Sequence, residues 1–307
     1  QARSPDATLC PNTNDCSAVQ IVNRDSSDSA PILIQIPQES FLPAKLDLAF
    51  VIDTTVSMCD ELDYIQRELQ NVLFQISMDR NLDIRLAFVF YKDTGGFYRY
   101  VVRTRQFDTM NVRLRDLWSE ECSGGGDYEE KMDLALNITA DTLTWRSGNV
   151  ARVAILIGDA PPHDEDLGKA FQAALGLRKK GVRLYSLAAS GVRDVAEYMM
   201  RLMSLVTGGR YLWLTDDSLV GNSHAEPRVA CYQVTRVNRL LECLLRSELL
   251  GKRMEARPED ILDEIGTQQD GICLIDLNNV EESLTSTAGV VQAGGGGGDG
   301  SSGGGSG

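Results

Sequence analysis

Positive charge is scarce in this chain: 30 Lys and Arg stand against 44 Asp and Glu, a formal net charge of -14 over 307 residues. Phosphate neutralisation dominates nucleic-acid affinity, so the deficit argues against nucleic acid as a partner. Histidine is scarcer still. His163 and His224 are the only two, and neither has a second nitrogen or thiolate ligand at a zinc spacing, so both read as surface or loop residues. The seven cysteines are too few for a disulfide scaffold, and no Cys-x-x-Cys pair suggests zinc. No run approaches the roughly 18 apolar residues that a membrane-spanning helix needs. No charged stretch followed by an apolar core begins the chain. It opens at Gln1 without a methionine, which fits a mature protein after signal cleavage better than a cut at a domain edge.

Missing catalytic signatures narrow the function further. No Gly-x-Gly-x-x-Gly follows the first predicted strand, no Gly-x-x-x-x-Gly-Lys-Ser/Thr occurs, and no serine sits in a Gly-x-Ser-x-Gly elbow between a predicted strand and helix. The dinucleotide and P-loop readings therefore fail on sequence, and catalysis becomes the minority view.

What is present is a core. With 43% hydrophobic and 24% charged residues, the chain supports one large domain or two small ones. Residues 1 to about 30 are polar and read as a loosely ordered arm, followed by a short strand between Pro31 and Pro37. From Lys45 onward apolar strands alternate with amphipathic helices, which predicts an α/β fold: a doubly wound, mostly parallel six-stranded sheet with helices on both faces. Strands are predicted at 46–53, 84–91, 100–107, 151–158, 182–189 and 210–214. Helices are predicted at 61–78, 111–118, 129–143, 167–179, 195–206 and 234–248. The turn-rich link near Thr94 to Phe97 is too short for a crossover, so the third strand should be an antiparallel edge. Val237, Leu240, Leu241, Leu244, Leu245 and Leu249 recur at helical spacing and should pack the last helix on the sheet.

Beyond Gly251, residues 271–276 form another possible strand, expected to pair with residues 32–36 in a small β accessory layer. Residues from Gly294 onward are Gly, Ser and one Asp, the composition of a flexible tail. The expected organisation is an arm at 1–44, a main domain at 45–249, an accessory segment at 250–292 and a tail at 293–307.

One segment carries most of the functional information. Phe50 to Ser57 is an apolar strand that ends in a carboxylate and three hydroxyls, Asp53, Thr54, Thr55 and Ser57. Oxygen donors of this kind suit a hard cation such as Mg²⁺, held by one or two carboxylates with places left for water or ligand. In an open parallel sheet, ligands gather beyond the carboxyl ends of the strands where strand order reverses. With the order 3-2-1-4-5-6, Asp53 and Asp159 end neighbouring strands and face one crevice. The Ser123 to Asp127 loop should reach the same rim and open the helix near Glu129.

Asp53-Thr-Thr-Val-Ser57, Gly124-Gly-Gly-Asp127 and Gly158-Asp-Ala160 together resemble the three loops of a von Willebrand factor A domain, over roughly residues 45 to 249. The resemblance implies a metal-ion-dependent adhesion site. Thr55 and Ser57 would give hydroxyls to Mg²⁺ (or Mn²⁺ or Ca²⁺), Asp53 and Asp159 would hold its waters or bind it, and one open position would take an acidic side chain of a protein partner. The second loop departs from the family pattern: Gly126 stands where a Thr is usual, and Asp127 is the candidate substitute.

Each motif also has a plain structural reading. Asp53 to Ser57 could cap the following helix. Asp127 with Glu130 fits a capping box, the preferred reading for that pair. Gly158 to Pro162 could be a strand-ending turn. The inferred fold brings Cys59 and Cys122 near the same rim, where a disulfide would brace the site. Cys231 and Cys273 would then link the last helix to the tail segment, Cys10 and Cys16 could close a small ring, and Cys243 is the candidate free thiol. Asn137-Ile-Thr139 matches a glycosylation sequon in mid-helix. The expectation is a secreted, cell-surface or periplasmic binding module that is not an enzyme. The alternatives are a scaffold with a vestigial metal site, or a metal-dependent phosphohydrolase of haloacid-dehalogenase type. Thr55, in the place of that enzyme's general acid, speaks against the last.

Overall fold

The computed structural model describes residues 42–79, 82–94, 99–215, 229–269 and 272–274. The chain divides into two compact units, Gln1–Pro227 with Val234–Asp263, and Arg228–Gln233 with Glu264–Gly307.

The larger unit is a six-stranded sheet of β1 (Lys45–Asp53), β2 (Asp83–Tyr91), β3 (Val102–Thr109), β4 (Ala151–Gly158), β5 (Arg183–Ala188) and β6 (Tyr211–Trp213). The order is β3-β2-β1-β4-β5-β6. All pairings are parallel except β2 with β3, so the third strand is the antiparallel edge that the short connection requires. β1 has eight consecutive buried residues, which is why it reads as an unbroken apolar run and not as an alternation.

Side chains on β1 nevertheless divide by period two between the two faces. Leu46, Leu48, Phe50 and Ile52 join one core cluster, and Ala49 and Val51 join the other. The first cluster is covered by α1 (Cys59–Asp79), α2 (Met110–Trp118) and α6 (Val237–Leu250). Leu62, Ile65, Leu69, Leu73 and Ile76 form the buried stripe of α1, and Val237, Leu241, Leu244, Leu245 and Leu249 that of α6. The second cluster is covered by α3 (Met132–Asp141), α4 (Leu167–Lys179) and α5 (Asp194–Thr207). Helix ends follow local chemistry: α5 and α6 stop at Gly208 and Gly251, both left-handed, where glycine carries no Cβ penalty.

Two helices start three residues later than the sequence reading. The last helix begins at Val237 and not at Val234, because β7 (Tyr232–Thr235) takes the β-branched Val234 and Thr235 into a two-stranded sheet with β8 (Ile261–Ile265). The helix expected from Glu129 begins at Met132, with Lys131 at its cap and no side-chain cap bond. Asp127 and Glu130 therefore do not form a capping box.

In the smaller unit, β9 (Gln268–Gln269) and β10 (Ile272–Cys273) pair antiparallel, and Cys231 is bridged to Cys273. The partner strand expected at 32–36, Cys10, Cys16, His224 and the glycine tail lie outside the described residues. Cys59–Cys122 is a disulfide, and Cys243 is a free, half-buried thiol. Among the described residues no helix is long and apolar enough to cross a membrane.

Candidate functional site

The two ends of β1 treat a buried carboxylate in opposite ways. At the amino end, Asp47 is fully buried and saturated. Arg85 reaches both its oxygens, at 3.0 and 2.7 Å, and Arg146 adds its backbone N–H and Nε, each at 2.7 Å. Burial works against the charge, but these donors outweigh it and hold the Asp47 carboxyl below its ordinary range.

At the carboxyl end, Asp53 is also fully buried. Its Oδ1 accepts the Thr55 backbone N–H at 2.9 Å and the Thr55 hydroxyl at 2.7 Å, while its Oδ2 has no partner. Burial pushes the Asp53 carboxyl up to about 7, with Asp159 adding to the shift and the Thr55 donors opposing it. Thr55 Oγ1 lies 3.2 Å from Ser57 Oγ. Asp159, at the end of β4, is buried, and its carboxyl is raised by burial against a hydrogen bond from Ser57.

The second loop is fastened to the first. Val56 N–H donates to Gly124 O at 3.0 Å and Ser123 N–H to Thr54 O at 3.0 Å, and the Cys59–Cys122 disulfide crosses at the base of the same pair of loops. Lys92, only 1% exposed, donates its ammonium to Thr54 O and, at 2.8 Å, to Ser123 O. A cleft of about 500 Å³ opens between these elements, lined among others by Thr55, Ser57, Gly124, Asp127, Glu130 and Asp159. Of the four residues predicted from strands one and four, Thr55, Ser57 and Asp159 thus share one cleft with the second loop, while Asp53 lies fully buried and bonded to Thr55. Asp127 is at its exposed mouth.

Several members of the site were not read from the sequence. Glu130 is 3% exposed and its Oε2 has no partner. Burial, then the negative charges of Asp53, Asp93, Asp159 and Asp127, push its carboxyl up to about 9. The Tyr91 hydroxyl is buried and unpartnered. It lies so close that a Cβ on Gly158 would meet it at 2.6 Å, so a larger residue at the end of β4 would have to displace the hydroxyl. Glu61 accepts the Ser190 N–H at 3.0 Å and hydroxyl at 2.6 Å, which brings the loop after β5 to the site. The Tyr128 hydroxyl donates to Asp159 O at 2.9 Å and accepts the Arg193 N–H at 2.8 Å. Ser190 was within reach of the strand-end rule, since β5 also ends at this rim. A buried Glu or Tyr has no comparable local signal.

His163 is not free-standing: it lies 2.7 Å from Asp93 Oδ1, which joins the loops after β4 and β2. In the Asn137 sequon, the Asn is exposed on α3, but the Thr139 hydroxyl is buried and bonded to Ala135 O at 2.7 Å.

The donor set fits a hard divalent cation. Two hydroxyls stand side by side, a buried carboxylate keeps an unused oxygen, and a second carboxylate shares the cleft, all oxygen ligands of the type Mg²⁺, Mn²⁺ and Ca²⁺ take. Among the described residues no three His, Cys, Asp or Glu side chains converge as a ready cage. The set is mixed, hydroxyl with carboxylate.

A family model for the von Willebrand factor A domain matches residues 47–201, about half of the chain. No curated protein sequence matches it. Among solved structures, the conserved hypothetical protein BatB from Bacteroides thetaiotaomicron is similar at 14% identity, over 66% of this chain and 98% of that one, with a TM-score of 0.45. The pilus adhesin SpaC from Lactobacillus rhamnosus GG, in its open conformation, shares 11% identity over 58% of this chain, with a TM-score of 0.45, and the chain spans only 28% of the adhesin. Proximal thread matrix protein 1 from the mussel byssus shares 15% identity over 54% of this chain and 46% of its own, with a TM-score of 0.36.

Proposed function

Because the chain belongs to the von Willebrand factor A domain family, we propose that the cleft at the end of β1 is a metal-ion-dependent adhesion site, through which this non-catalytic module binds a protein partner by an acidic side chain. The observation that carries the reading is the unpartnered Oδ2 of fully buried Asp53, beside the Thr55–Ser57 hydroxyl pair. A buried polar atom without a partner is costly, and a bound cation is the group that would satisfy it.

Thr55 and Ser57 would bind the cation through their hydroxyls, and Asp53 and Asp159 would hold it directly or through water. The cation, when bound, supplies a positive centre able to accept a partner's carboxylate. Thr55 presents its own hydroxyl to Asp53 Oδ1, so the place two residues beyond the strand-end Asp carries no acid for phosphoester chemistry. Val56, 59% exposed beside the site, offers the partner an apolar contact. Disulfides persist in oxidising compartments, so Cys59–Cys122 and Cys231–Cys273 support a secreted, cell-surface or periplasmic setting.

Calorimetric titration with Mg²⁺ or Mn²⁺ tests the proposal. Wild-type protein should bind and Asp53→Ala should not. Binding unchanged by the substitution counts against the site. Capture of a partner that ignores a chelator would favour a scaffold with a vestigial site.

A further inference from the structure

We propose that Glu130 supplies the cation with the second-loop oxygen that Gly126 cannot, directly or through one water. This rests on the reading of the cleft as a divalent-cation site and adds a ligand to it.

The second loop offers three candidates. Gly126 has no side chain, and a Cβ built there would find no atom within 4 Å. Asp127 is exposed and solvated. Glu130 alone is enclosed: it is 3% exposed, it lines the same cleft as Thr55, Ser57 and Asp159, and its Oε2 has no hydrogen-bond partner.

The ordinary reasons for a glutamate at this position do not hold. Glu130 is not a helix cap, because α3 begins at Met132 and no side chain caps it. Among the described residues it makes no ion pair. Lys131 faces Asp166 at 2.7 Å, and Lys92 gives its ammonium to the carbonyls of Thr54 and Ser123. The electrostatic neighbours that act on its carboxyl most strongly are Asp53, Asp93, Asp159 and Asp127.

The backbone nevertheless fixes the residue firmly. Glu130 N–H donates to Pro161 O at 3.0 Å and Lys131 N–H to Lys92 O at 3.1 Å, so the side chain is set between the loops that follow β4 and β2. A carboxylate held in an enclosed site among like charges opposes folding of the metal-free protein. A divalent cation turns the same arrangement into an attraction.

The two roles predict opposite signs. If Glu130 were a scaffold residue, neutralising it would lower stability. As a cation ligand it should do the reverse without metal, and weaken the response to metal. The test uses the full chain with Mn²⁺ as the probe, comparing wild type, Glu130→Gln, Asp127→Asn and Asp53→Ala by titration calorimetry and by thermal unfolding with and without chelator.

The expected result is that Glu130→Gln melts no lower than wild type in chelator and binds Mn²⁺ about tenfold more weakly or worse, with a smaller upward shift of its midpoint. Asp127→Asn should change affinity by about threefold at most. Three results would overturn the proposal: wild-type affinity in Glu130→Gln, an affinity loss accompanied by a lower melting point in chelator, or an equal loss in Asp127→Asn. If wild type binds Mn²⁺ and Asp53→Ala does not, while Glu130→Gln behaves as wild type, this proposal alone fails. If wild type binds no Mn²⁺, the cation site fails with it.

Discussion

The Lys92 ammonium donates to the Ser123 carbonyl at 2.8 Å, inside the protein. The same ammonium also reaches Thr54 O, so one buried cation ties the first and second loops of the site together. Lys92→Met keeps most of the volume and removes the donors. It should cost about 1–3 kcal/mol for the stranded carbonyls, and cation affinity should fall as the second loop loosens. Chemical denaturation and Mn²⁺ titration of the variant measure both. A variant with unchanged affinity would show that the backbone bonds between the loops suffice.

The Cys59–Cys122 disulfide braces the same two loops covalently, across a sequence separation of 63 residues. The chain-entropy account gives a ring of this size about 4 kcal/mol of stabilisation. Replacing both cysteines by serine should therefore lower stability by up to about that amount. It should also weaken cation binding in an otherwise folded protein, because Val56–Gly124 and Ser123–Thr54 would be left as the main ties. Denaturant midpoints of wild type with and without reductant, beside the double variant, check the expectation. No difference would mean that the hydrogen bonds alone fix the rim.

Gly126→Thr restores the residue usual in the family at this position. The backbone there is not left-handed, and a Cβ would meet no atom within 4 Å, so the substitution should change stability by less than about 0.5 kcal/mol. Its hydroxyl would add an oxygen on the side of the second loop, and Mg²⁺ affinity is expected to rise several-fold. A calorimetric comparison of variant and wild type decides this. Unchanged affinity would place Gly126 outside the reach of the cation.

The fold was legible where local pattern and tertiary role coincide. β1, β2 and β4 are buried on both faces, so their apolar runs announced central parallel strands, and the short turn after β2 announced the antiparallel edge. Asp53 and Asp159 could be paired from sequence because both end neighbouring strands at the switch in strand order.

Glu130 could not be recognised in the same way. It fitted a local rule, the capping box with Asp127, and only the start of α3 at Met132 shows that the rule does not apply. Lys92, Tyr91 and Glu61 are polar residues whose burial is decided by neighbours from distant segments, such as Ser190 for Glu61. No spacing within the chain encodes that. The carboxylate network of Asp47 with Arg85 and Arg146 was invisible for the same reason, since its partners lie 38 and 99 residues away.

Two groups outside the hydroxyl pair set a slope of stability against pH in metal-free protein. Burial pushes the Glu61 carboxyl from 4.5 to about 7, with Asp60 adding to the shift and Ser190 opposing it. Its folded form thus holds a proton more tightly than its unfolded form. Stability is lost as pH rises from the unfolded value to about 7. The hydrogen bond to Asp93 raises the His163 imidazole above its ordinary 6.5. The stability it contributes is fully present below that value and is lost as pH climbs through the raised folded value. Both slopes have the same sign, and Asp53 and Glu130, raised by burial, add to it. In chelator the denaturation midpoint should therefore fall steadily from pH 5 to pH 8. Glu61→Gln should flatten the acid half of that fall, and His163→Ala the alkaline half. A midpoint that rises with pH, or a Glu61→Gln curve parallel to wild type, would contradict the assignment of these groups.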